Sequence, residues 1–274
     1  MRKKFYTAIF ALTGIMFTGC TGGIGKRYAY YEDGEKYSVG KVTVSAERIV
    51  GVEIDWWDGA IEVEQSADKE LRIYEEYDFK DEGERMRYYV DHGVVKVQYC
   101  ASGYRGRIDG EQKRLLLEIP QGLDLEIESQ RADISVGVVE LTAFSLENRF
   151  GDLTAERLSC QRMETETASG SVRIGELSAK SCSIESKTGE ISLGITGTID
   201  AELETERGNI TLYPHGVCMQ VDFQTRGGRL ITERAYEKNG NIYTFSCSSE
   251  GDAQTPKRLC TIQTETVGGD LCIY

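Results

Sequence analysis

The 274-residue sequence predicts an all-β fold, a parallel β-helix or β-solenoid with coils of about 19 residues, and three observations lead there. A phrase is written twice: SIESKTGEISLG at residues 183–194 is followed by ELETERGNITLY at 202–213. Apolar and polar residues alternate on both sides of a glycine turn in each copy, the period-2 signature of strands with one buried face. No helix-length 3.6-residue pattern separates the strands, which removes repeats built with helices. A 19-residue unit of two short strands cannot bury its apolar face alone, so successive units must stack.

Residues 1–19 read as a signal peptide. Arg2, Lys3 and Lys4 precede an apolar run, Phe5 to Phe17, too short for a stable membrane span, and small residues lead into Cys20. The end of this stretch resembles the bacterial lipobox, with Phe17 where Leu is preferred; the resemblance implies acylation of Cys20 and attachment to a membrane. Residues 20–35, rich in glycine and charge, read as a linker from that anchor. The full chain has a formal charge of -13 with 28% charged and 40% hydrophobic residues, a globular and acidic composition. An acidic surface repels phosphate backbones, so nucleic acid is excluded as a partner.

Residues 36–122 read as an irregular β region of the solenoid. IDWWDGAIEVEQ carries the glycine turn and alternation of a coil, and ELRIYEEY, RMRYYV, VVKVQYC and RLLLEIP read as further strands. Pro120 and Gly122 mark the entry into the regular coils of residues 123–274. There Asp133, Asp152, Ser171, Glu190, Asn209 and Arg229 recur at steps of 19, 19, 19, 19 and 20 residues. The residue before each marker is Ala132, Gly151, Gly170, Gly189, Gly208 or Gly228, and Gly269 precedes Asp270 in the last phrase; positive φ is expected at these turn glycines. Apolar columns stand six and eight residues ahead of the marker, broken only by Thr165. Four ahead come Ser129, Asn148, Thr167, Ser186, Thr205 and Thr225, short polar side chains suited to bonding backbone at a corner. After Arg229 the register jumps by 41 residues to Asp270 across a segment whose Asn239-Gly240 reads as a hairpin cap.

A strand ending in EIP, then GLDLEIES, then LET-x-x-G-x-I-x-L repeats, resembles the bacterial "putative adhesin" family over residues 40–274. The resemblance implies a β-solenoid on an exported lipoprotein, a domain of unknown function without catalytic residues to carry over.

Little in the sequence supports catalysis. His92 and His215 are its two histidines, neither in a nucleophile elbow, and no dinucleotide fingerprint, P-loop or zinc motif occurs, so no catalytic residue, cofactor or metal is expected. Seven cysteines beyond Cys20 have irregular spacing without CxxC pairs; their odd number prevents complete internal pairing, and buried thiols are favoured over bridges. The column Glu128, Glu147, Glu166, Glu185, Glu204 reads as a solvated face in preference to a cation or ligand site, with Arg149, Lys187 and Arg226 as partial counter-charges. Asp152, Glu190 and Asp270 at turns, and Tyr30, Tyr31, Trp56, Trp57, Tyr88, Tyr89 and Tyr104, are the material a polysaccharide-cleaving β-helix would need. Turns attract Asp anyway, and paired aromatics in strands are usually packing.

The expected function is therefore a non-enzymatic, lipid-anchored, extracytoplasmic solenoid that adheres to or contacts an envelope protein or glycan. An accessory lipoprotein of an envelope-stress sensor is the alternative, ahead of a polysaccharide-active enzyme.

Overall fold

The computed structural model describes Tyr28 and residues 30–246 and 259–274. The expected signal peptide, Cys20 and Cys247 lie outside the described residues. Regular structure among the described residues is strand, apart from four three-residue 3₁₀ turns. The strands form two sheets, 13-stranded sheet A and 11-stranded sheet B. Each coil contributes one strand to A, turns a corner, and contributes one to B. Ala143–Asn148 and Leu153–Ser159, for example, lie parallel over Asp124–Ser129 and Asp133–Glu140 one coil earlier.

The alternation read from the sequence becomes four interior columns. On sheet A, Leu125, Phe144, Met163, Cys182 and Ala201 stack in register, as do Ile127, Leu146, Thr165, Ile184 and Leu203. On sheet B, Ile134, Leu153, Val172, Ile191 and Ile210 form a third column, with Val136, Ala155, Ile174, Leu193 and Leu212 beside them. All are buried, and each large aliphatic contributes about 1.5–3 kcal/mol on leaving water. Thr165 interrupts its column at a cost: its Oγ1 is buried with no hydrogen-bond partner.

The corner explains the glycines, and not as the sequence suggested. Gly151, Gly170, Gly189, Gly208, Gly228 and Gly269 do not have positive φ. Glycine is required there because a Cβ on any of them would lie 1.8–1.9 Å from a carbonyl oxygen of the coil below. Gly189 sits over the Gly170 carbonyl, and Gly208 over that of Gly189. The buried polar column fastens the same corner. Thr167, Ser186 and Thr205 accept the amides of Gly170, Gly189 and Gly208 at 2.9, 2.8 and 3.0 Å. Ser186 and Thr205 also donate to the carbonyls of Gly170 and Gly189 in the coil beneath.

The order of coils in space differs from their order in the chain at both ends. The coil of Arg229 does not follow that of Asn209: Leu259–Thr266 lies between Asp200–Thr205 and Cys218–Thr225, and Leu271–Ile273 between Ile210–Pro214 and Leu230–Thr232. Gly269 accordingly rests on Gly208, and Gly228 on Gly269. Toward the other end, Gly51–Trp56 lies between Val94–Gln98 and Asp124–Ser129. Local phrase spacing cannot reveal this, because a returning coil presents the same columns as its neighbours.

Antiparallel strands close the ends. Tyr236–Asn239 and Ile242–Phe245 form a hairpin over sheet A, turning at Gly240 with φ 63°. At the opposite end, Val42–Ser45 and Glu70–Glu76 cover sheet B, while Ser38–Val39 and Arg87–Asp91 cover sheet A. Tyr28 and Tyr31, within the segment read as linker, pack on this cap: Tyr28 is buried and Tyr31 donates to the Cys100 carbonyl. Beneath it Lys113 is fully buried, bonding Glu75 and the carbonyls of Glu84 and Tyr99, with the rings of Tyr99 and Trp56 over its ammonium. Cys100, Cys160, Cys182, Cys260 and Cys272 are free thiols, whereas Cys218 is disulfide-bonded.

The glycine contact sets a test that separates close approach from left-handed backbone. Gly189→Asn should lower stability as much as Gly189→Ala, by about 2 kcal/mol, since added volume has no room. Equilibrium denaturation measures it, and an Asn variant as stable as the parent would contradict the contact.

Candidate functional site: the acidic face of sheet A

Strand alternation sends every second residue of sheet A outward, and stacking puts like over like. The glutamate column read from the sequence is longer in the structure. Asp55 pairs with Glu128, and Glu147, Glu166, Glu185, Glu204 and Glu265 follow on successive rungs. Asp55 and Glu265 enter only because displaced coils bring their strands there. A second outward column, two residues earlier, holds Glu53, Glu126, Ser145, Glu164, Ser183 and Glu202. The columns therefore make one continuous acidic surface with rungs about 4.8 Å apart.

Few cations offset it. Among the described residues no ion pair joins the Glu128-to-Glu265 column to Arg149, Lys187 or Arg226, the expected counter-charges; Arg149 lies over the Phe150 ring instead. Lys96 reaches Glu53 at 3.7 Å and Arg162 reaches Glu164 at 3.8 Å, both in the second column. A shallow depression of about 680 Å³ opens where the small Ser181 and Ser183 stand among Arg162, Glu164, Asp200 and Glu202.

Crowding and partial burial show in the acidities. Burial, then the charges of Asp55 and Glu147, push Glu128 up to about 7. Burial alone pushes Asp55 up to about 6. Glu126 is raised by burial and then Glu53, and Glu204 by burial and then Glu185 and Glu265. These four carboxyls thus hold their protons more tightly than isolated carboxylates do.

The other candidates have structural places. Asp152 accepts the Ser171 amide at 2.8 Å and pairs with Arg173 at 3.1 Å, and Asp270 accepts the Arg229 amide at 2.8 Å. Asp152 and Asp270 thus each tie their coil to its neighbour, and Glu190 occupies the same column. His92 is exposed at a hairpin turn beside Asp91, and His215 is exposed at the bend that follows the sheet B strand Ile210–Pro214. Trp56 is fully buried, its ring edge-on to Tyr99 at 4.9 Å, while Tyr104 stacks on Tyr28 at 6.1 Å. Tyr30 is exposed, but Tyr28, Tyr31, Trp56 and Tyr104 pack within the cap and make no exposed platform. Among the described residues no His, Cys, Asp or Glu group has a metal-holding arrangement.

The raised carboxyls fix a pH dependence. A carboxyl with a folded pKa above its unfolded value leaves stability intact below the unfolded pKa and erodes it as pH rises through the folded one. For Asp55 and Glu128 the erosion falls between about pH 4 and 7. Asp68, held at about 2 chiefly by Arg72, titrates below that window. The melting temperature should therefore fall as pH is raised from about 5 to 8, and Glu128→Gln should raise it at the upper pH and flatten the slope. A rising melting temperature, or a slope untouched by Glu128→Gln, would contradict the assignment.

The profile of one protein family, described as Toastrack DUF4097, matches residues 49–266. Among solved structures, one described as a "putative cell adhesion protein" from Clostridium sporogenes is 11% identical, covering 87% of this chain and 99% of that one with a TM-score of 0.36. One described as a "putative adhesin" from Parabacteroides merdae is 12% identical, covering 87% and 96% with a TM-score of 0.41. Another "putative adhesin", from Bacteroides fragilis, is 12% identical, covering 86% and 97% with a TM-score of 0.42. No curated protein matches this chain. The family match takes in the displaced N-terminal coils, the regular coils and the returning C-terminal strand of sheet A, and the chain belongs to the Toastrack DUF4097 family.

Proposed function

We propose that the protein is a non-enzymatic adhesion module, held outside the cytoplasm by lipid on Cys20, whose acidic sheet A face docks a cationic envelope partner. The observation that carries this reading is the seven-rung carboxylate column from Asp55 to Glu265, which has no ion-pair partner among the described residues. A flat array of like charge raises the local concentration of a cation and speeds its capture. Lysine-rich protein segments have the matching charge, and a repeat of 4.8 Å lets an extended chain meet several rungs. Asp152 and Asp270, two of the turn acids that catalysis would use, are tied into coil-to-coil bonds, which supports a binding role over a hydrolytic one. The disulfide at Cys218 supports placement outside the reducing cytoplasm.

A decalysine peptide is a direct probe of the face. Binding should weaken steeply with salt, and Glu147→Gln/Glu166→Gln/Glu185→Gln together should weaken it about tenfold, at about 0.5 kcal/mol per exposed pair. Affinity unchanged by the triple substitution would remove the face from the function. For the anchor, Cys20→Ser should move the protein from the membrane to the soluble fraction, and continued retention would refute lipidation.

A further inference from the structure

Two exposed rings of sheet B fall on consecutive rungs, although their residues lie far apart in the chain. Tyr213 and Tyr274 are 42% and 57% exposed, with ring centroids 5.8 Å apart and planes inclined at 24°. They meet because the last strand, Leu271–Ile273, lies on Ile210–Pro214, and the Tyr274 amide donates to the Leu212 carbonyl at 3.1 Å. One rung away, Tyr213 is paired with Gly194, which points outward yet is buried. The His215 side chain covers it: Nε2 lies 3.2 Å from where a Cβ on Gly194 would stand. That glycine is obligatory, since the same Cβ would be 1.8 Å from the Gly175 carbonyl oxygen. Two stacked tyrosine rings and the imidazole that lies over Gly194 thus cover three rungs, spanning about 10 Å.

The strip has a polar border. Beyond His215 the exposed Gly175 leaves a low step flanked by Glu176, whose carboxylate accepts from Arg157 Nε at 2.6 Å. Arg157, held on Glu176, has further N–H groups to donate, Glu176 has further lone pairs to accept, and Thr211 and Ser192 stand one outward position away along their strands. Aromatic faces carry negative charge density and favour the electropositive C–H groups of a flat apolar surface. A pyranose whose hydroxyls are all equatorial offers that surface on its faces and hydrogen-bonding groups around its edge. The chain's formal charge of -13 disfavours acidic sugars.

We propose that the His215, Tyr213 and Tyr274 strip of sheet B binds a neutral glycan chain of β-linked, equatorially substituted pyranoses, stacking successive sugars on successive rings. This site lies on the sheet opposite the acidic face and does not depend on that face binding anything.

Titration calorimetry of the full chain with cellotetraose and with chitotetraose tests it. At least one oligosaccharide should bind, Tyr213→Ala should weaken binding at least tenfold, Tyr213→Trp should preserve it, and Tyr74→Ala, an exposed ring at the far end of the same sheet, should leave it unchanged. Melting curves establish that each variant is folded; should the Ala variant fail that check, loss of binding in His215→Ala serves in its place. No heat from either oligosaccharide at millimolar concentration, or binding indifferent to ring removal, would overturn the assignment.

Discussion

Six coils of this protein are each pressed onto the one below at a single corner, where a glycine Cα lies against a backbone carbonyl. Because the contact is between main chains, no side chain can adjust to relieve an insertion there, and the rung height is set by hydrogen-bonded strands at about 4.8 Å. The buried hydroxyls of Thr167, Ser186 and Thr205 hold the turn amides, and those of Ser186 and Thr205 also reach the carbonyls beneath. A coil that kept its aliphatic residues but lost this corner would have to tilt, and the four interior columns would fall out of register together.

Strict stacking has consequences outside the core. Whatever a coil presents outward is placed over the same position of its neighbour, so a sequence that repeats glutamate makes a ladder of like charge. That ladder sets like charges beside one another, and Asp55 and Glu147 add to burial in pushing the Glu128 carboxyl up. Its persistence across seven rungs contrasts with the marker column, where Asp152, Asn209 and Asp270 spend their side chains on amides of the adjoining coil. Acids at the corner bond the adjoining coil, whereas the Asp55-to-Glu265 column of sheet A has no ion pair among the described residues. The same rule, applied to a returning strand, makes a ring strip on sheet B from Tyr213 and Tyr274.

Much of this was legible in the sequence, and the parts that were not have identifiable causes. Period-2 alternation gave the inward columns, and the marker spacing gave the coil length. A glycine preference, though, has two physical origins, positive φ and close approach, and one residue type cannot distinguish them; only the Gly170 carbonyl beneath Gly189 does. Coil order was hidden for a similar reason. Thr264, Glu265 and Thr266 fit the column pattern equally well beside Leu203–Thr205 or beyond Phe223–Thr225, and the choice depends on how the hairpin returns the chain. Membership of Asp55 and Glu265 in the acidic column, and the meeting of Tyr213 with Tyr274, follow from that order. Lys113 was invisible because lysine is ordinarily exposed; its burial needs Glu75, two carbonyls and two rings that converge only in the folded cap.

Backbone nuclear Overhauser contacts in the deuterated protein examine the stack without altering a residue. Amides of Asp200–Thr205 should show cross-strand contacts to residues 181–186 on one side and 261–266 on the other, in the register of parallel strands. Contacts running directly from 200–205 to 218–225, or none between successive 19-residue repeats, would contradict the coil order and with it both outward faces.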